Sequence, residues 1–151
     1  MNYDVAGSTP LPVENDGVLN ITINLNPNLL ANSSYEFIAA TVYHEAFHAI
    51  IHYFDSNNWF FQSNTTPSDQ HLMMFTSSLD RITNGLTAVF PSLSATEAKS
   101  LMLKWLLTPQ NQLDENTVNQ ILSTADITRD QVTALSNNFS KYGLLGNRCP
   151  Q

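Results

Sequence analysis

Residues 44 to 48 read His-Glu-Ala-Phe-His, and these residue types at this spacing can do metal-dependent hydrolytic chemistry. Two histidines four apart on a helix lie one turn above each other on the same face, so both imidazoles can reach one Zn²⁺. Glu45 sits about 100° around the helix from His44, close enough to poise a carboxylate over a metal-bound water. In an H-E-x-x-H arrangement the histidines bind zinc and the glutamate acts as general base. Chance alone produces such a match in a chain this long roughly half a percent of the time (compare). The competing reading is a buried helix whose histidines are satisfied by neighbours. It would win for a lone histidine, but two histidines and a glutamate in register favour the metal.

The helix that must carry the motif can be read from its ends. Ser33-Ser34-Tyr35-Glu36 has the form of a capping box, with Ser33 as N-cap and Glu36 reaching back to it. The helix then runs to about Phe54, where Asp55-Ser56-Asn57-Asn58 ends it. At about 100° per residue, Phe37, Thr41, His44, Glu45, His48 and His52 share one sector. Val42, Tyr43, Ala46, Phe47, Ile50 and Phe54 form the opposite face, which carries no charge. The expectation is a helix buried on that apolar back, presenting its polar atoms into a cleft.

A catalytic zinc site takes three protein ligands and leaves a position for water. His52 fails as the third, because it lies about 12 Å along the helix axis from His44; it is a candidate for lining the cleft and touching substrate. The remaining candidates, Asp69, His71 and Asp80, fall on a second periodic segment. Thr66-Pro67-Ser68-Asp69 starts a helix, along which Leu72, Phe75, Leu79, Ile82, Leu86 and Val89 step at spacings of three and four. Gly85 weakens this second long helix and Pro91 ends it. His71 points the same way as Phe75, Ile82 and Val89, whereas Asp80, and nearly so Asp69, point to the solvated side. A buried unpaired imidazole is costly, so His71 is the preferred third ligand, the competing reading being a histidine simply hydrogen-bonded at a helix start.

Before the motif, Leu19, Ile21, Ile23 and Leu25 alternate with polar residues and predict a half-buried strand stopped by Pro27. Its apolar face should pack on the motif helix while its backbone edge stays free for an extended peptide. Residues 1 to 17 read as extended coil, with a short strand near Tyr3. After the motif helix, Trp59-Phe60-Phe61 forms an aromatic loop, read either as a wall of the substrate pocket through Trp59 and Phe60 or as a plug over the core. Three shorter helices follow. Ser94-Ala95-Thr96-Glu97 caps one through Leu107, Asp114 opens one to about Leu122, and Thr128-Arg129-Asp130-Gln131 caps one to about Tyr142.

Thr41 to Ile50 fits the extended zincin signature, and with a later histidine opening a second helix the chain resembles the small SprT-like bacterial zinc metallopeptidases over roughly residues 18 to 90. The resemblance implies zinc as cofactor, His44, His48 and His71 as ligands, Glu45 as base, and a peptide or protein as substrate. It also implies the fold: a single zincin-like domain over residues 1–151, α+β but predominantly helical, with a strand or small sheet before the motif helix and the third ligand on a second long helix. A metzincin is excluded because Ile51 and Phe54 stand where that pattern needs glycine and histidine. A di-iron bundle needs a second Glu-x-x-His, and of the five glutamates only Glu45 has a histidine three residues on. The alternative that stays open is a non-catalytic zincin-like domain that keeps the metal and binds a protein partner.

Composition narrows the partners. Thirteen acidic residues against six basic give a net charge of −7, and no basic cluster exists to recruit nucleic acid or an anionic membrane. The most apolar stretch, residues 37 to 54, contains Glu45 and three histidines and is no membrane span. Cys149 is the only cysteine, so no internal disulfide can form. Residues 1 to 4 open no signal peptide, which fits a cytoplasmic protein or a mature, trimmed secreted domain.

Overall fold

Ser34 fixes where the longest helix begins. Its hydroxyl accepts from Phe37 N at 3.1 Å, and the helix α2 (Tyr35–Ser56) follows. A computed structural model describes residues 7–56, 67–108, 113–140 and 143–148, and in them the chain is α+β and predominantly helical. Four short strands come first: β1 (Gly7–Ser8), β2 (Val13–Asn15), β3 (Val18–Asn20) and β4 (Asn24–Leu25), then the single turn α1 (Pro27–Leu30). After α2 come α3 (Pro67–Ser77), α4 (Leu79–Val89), α5 (Ala95–Leu103) with a 3-10 turn at Lys104–Leu107, α6 (Glu115–Thr124) and α7 (Arg129–Phe139).

The cap of α2 differs from the predicted one. Ser34, not Ser33, bonds the N3 amide, and Glu36 does not reach back to Ser33. Its buried carboxylate accepts instead from Asn147 N at 3.0 Å and Asn147 Nδ2 at 2.7 Å. The two later capping boxes stand as read: Ser94 with Glu97 on α5 and Thr128 with Gln131 on α7. Asp114 likewise caps α6 by accepting from Asn116 N and Thr117 N.

The predicted strand over residues 19–25 is two separate pieces. β3 pairs with β2 across the Asp16-Gly17 turn, and β4 pairs antiparallel with β1. Ile21 and Leu25 remain substantially exposed, so this stretch does not form the apolar layer on α2. The strand that lies against α2 is β1. The strand expected near Tyr3 lies outside the described residues.

The second long helix is also two. Ser78, with φ −130° and ψ −5°, breaks it between α3 and α4. α3 buries Gln70, His71, Met74 and Phe75, and α4 buries Leu79, Ile82, Thr83 and Leu86; α4 packs chiefly on α5 and, like α3, also touches α2. Leu72 and Val89, placed on the inward stripe by periodicity, are exposed.

At the centre is α5. Ala98, Ser100, Leu101, Met102 and Leu103 are all buried, and α4, α7 and α2 pack around it. Its second half, Ser100 to Leu103, is buried on all sides, while Ala95 and Thr96 in the first turn are exposed. The 3-10 turn that follows carries buried Trp105 and Leu106 under α2.

Candidate metal centre

The motif face of α2 points into the protein. Phe37, Ala40, Thr41, His44 and Glu45 are buried, whereas Val42 and Ile50 on the apolar face are 37% and 39% exposed. This inverts the expected orientation.

His44, His48 and His71 come together as the sequence predicted. Each offers a ring nitrogen, and the three atoms lie within 4.8 Å of one another, so the cluster could hold a metal ion. His44 Nε2 and His48 Nε2 are 3.1 Å apart. Two nitrogens on a tetrahedral zinc, each at about 2.05 Å, would be about 3.3 Å apart, so this pair fits such an ion with little adjustment. Asp69 and Asp80 are exposed and outside the cluster. His52 continues α2, but its side chain, like Trp59 and Phe60, lies outside the described residues.

Each histidine is held by a different device. The His44 ring stacks on Trp105, with centroids 4.6 Å apart and planes at 15°. The His71 ring lies parallel to Phe75 at 5.9 Å and to His44 at 5.5 Å. His48 is fixed by a hydrogen bond, its Nδ1 lying 3.0 Å from Gln70 Oε1. Among the described residues, His44 Nδ1 is the buried side-chain polar atom with no partner.

Electrostatics favour a neutral imidazole at His44. The His44 pKa is pushed well below the ordinary histidine value, first by burial and then by positive charge at His48 and His71. A histidine binds metal through a bare nitrogen lone pair, so these surroundings hold His44 in its ligating form.

Glu45 is 5% exposed. Thr9 Oγ1 lies 2.9 Å from the Glu45 carbonyl oxygen and 3.1 Å from Oε2, as donor to both. A Cβ at Gly7 would fall 2.8 Å from Glu45 Cγ and 3.1 Å from Thr41 Cγ2, so glycine allows β1 to lie directly on the helix at this point. Burial raises the Glu45 pKa, and the Thr9 hydrogen bond partly opposes the rise.

Sequence reasoning missed Thr9, Gln70 and Trp105. Gln70 had a signal, since it adjoins the chosen third ligand on the same helical turn. Trp105 sits in the apolar run of residues 101 to 107, where core membership is legible but its neighbour is not. Thr9 lies in a stretch with no periodic signal at all. No protein-family model, curated protein or solved structure matches the chain. No described helix is long and apolar enough to cross a membrane.

Proposed function

We propose that this chain is a zinc-dependent metallopeptidase of zincin-like design, with His44, His48 and His71 as ligands and Glu45 as general base. The observation that carries the reading is the convergence of three histidine nitrogens within 4.8 Å beside a buried glutamate. Three neutral nitrogen donors suit zinc, and a three-ligand set leaves a position for water. Bound there, zinc would supply Lewis acidity, lowering the pKa of water to about 7 and polarising a scissile carbonyl.

The rest is done by the chain's own groups. Glu45 takes a proton from the attacking water and returns it to the leaving amine nitrogen. Its raised pKa makes it a better proton acceptor than an exposed carboxylate. Thr9 holds one carboxylate oxygen, which fixes the side chain's direction, and the low exposure of the site keeps bulk water from competing.

One observation favours a second reading, a metal-binding domain that engages a protein partner without cleaving it. Glu45 is almost closed off by β1, so a substrate must reach the carboxylate past residues 7 to 9. Chromogenic casein separates the two readings. The wild type should release dye, chelator should stop it, and Glu45→Gln should keep the metal and lose at least about 100-fold in rate. Near-native turnover by Glu45→Gln rules out this mechanism, and a zinc-loaded wild type without activity selects the binding module.

A further inference from the structure

Gln70 and His71 are consecutive residues in the first turns of α3, and both are buried. Consecutive helical side chains point about 100° apart, so one turn can serve two different neighbours. His71 joins the histidine cluster. Gln70 turns its amide oxygen to the far side of the His48 ring, 3.0 Å from Nδ1.

An amide oxygen can only accept a hydrogen bond, so the proton between these atoms belongs to His48 Nδ1. A neutral imidazole has a single N–H. With that proton committed to Gln70, His48 Nε2 keeps its lone pair, and Nε2 is the atom that faces His44 at 3.1 Å. We propose that Gln70 is the positioning residue of the metal centre, holding His48 in the Nδ1–H tautomer with Nε2 bare toward a divalent cation. The proposal rests on the three histidines being metal ligands.

No equivalent partner serves His44. Its Nδ1 is buried without a hydrogen bond, and its ring is held by stacking on Trp105. The two motif histidines are therefore oriented by separate devices, and loss of the Gln70 amide should act on the His48 ring and not on the His44 ring. An amide in this role has a consequence for the ion. A carboxylate would bring negative charge to the site and raise the basicity of the ligand. The neutral amide orients the ring without that charge, so the ion keeps more of its own to act on water and substrate. Because one turn of α3 supplies both a ligand and the support for another ligand, cation binding ties α3 to α2 at two points.

Wild type, Gln70→Met and Gln70→Glu form the test. Methionine keeps the length of the side chain and loses the acceptor; glutamate restores an acceptor at the same place. Zinc affinity, measured by competition with a chromogenic chelator, should fall roughly 10- to 100-fold in Gln70→Met and be retained in Gln70→Glu. Long-range ¹H–¹⁵N spectra of the metal-free protein above neutral pH should show His48 as the Nδ1–H tautomer in wild type and Gln70→Glu but not in Gln70→Met. A packing defect alone would give no rescue by glutamate and no selective change at His48. Wild-type affinity in Gln70→Met, or an Nε2–H tautomer in the wild type, overturns the role of Gln70 and leaves the three-ligand reading standing. Failure of the wild type to bind zinc overturns both.

Discussion

Burial pushes the His44 pKa down, and desolvation acts the same way on Lys104. Its ammonium lies 4.2 Å from the centroid of the Phe37 ring, and among the described residues no carboxylate pairs with it. Desolvation pushes its pKa down to about 8, against about 10.4 for a free lysine. Below about pH 8 both folded and unfolded states carry the proton, and the full cost of burying the charge is present. Between about 8 and about 10.4 the unfolded chain binds more protons than the folded one, so this contribution makes stability rise with pH. The full shift corresponds to roughly 3 kcal/mol; partial exposure and the lost cation–π contact, about 0.5–1 kcal/mol, reduce what removing the charge returns. Lys104→Met should therefore stabilise the protein by about 1–2 kcal/mol near neutral pH, with the gain shrinking toward about pH 10. Urea unfolding across that range checks it, and a destabilised variant at neutral pH would contradict the assigned cost. At this scale the convergence of His44, His48 and His71 was legible because helical period decides which side chains share a face and which face of the next helix turns inward. Thr9, Gln70 and Trp105 were not, because each is chosen by what a different element brings to the site.

Among the elements, the C-terminal segment decides how α2 begins. Tyr35 N donates to Asn147 O at 2.8 Å, and Glu36 accepts from Asn147 as described. Arg148 adds donors to the carbonyls of Asn32, Ser140 and Gly143. Gly146 makes the approach possible. It has φ +86°, and a Cβ there would fall on Ser34 and within 2.6 Å of Glu36 Oε2. Gly146→Ala should cost about 2 kcal/mol or more, combining left-handed strain with displacement of the capping serine. Thermal unfolding reads it directly, and a melting temperature equal to wild type would mean the segment does not clasp the helix. The Ser33–Glu36 pattern predicted a local box because sequence windows see only near neighbours, while the actual partner of Glu36 is 111 residues away. The same blindness hid the break at Ser78. Apolar spacing runs unbroken through residues 72 to 86, and nothing in it marks Ser78, with φ −130° and ψ −5°, as the point of division.

Over the whole molecule, the fold class was legible and the orientation of its longest helix was not. Helical periodicity, the caps at Ser94, Asp114 and Thr128, and the alternating strand read over Leu19 to Leu25 all predicted a helical α+β chain. Hydrophobicity then placed Val42, Tyr43 and Ile50 inward, whereas the protein turns His44, Glu45 and the side facing Gln70 and His71 inward and leaves that apolar face partly open. Burying so many polar groups costs free energy unless each finds a partner, and a cation held by the three histidines would stabilise the folded state alone. At a thousandfold excess over Kd that stabilisation is about 4 kcal/mol. Equilibrium dialysis against zinc, with metal analysis of wild type, His44→Ala and His71→Ala, is the most direct test of this account. The expected result is a single zinc per wild-type chain, lost in His44→Ala and severely reduced in His71→Ala. Full stoichiometry in His71→Ala, or a wild type that takes up no zinc, would contradict the three-histidine centre.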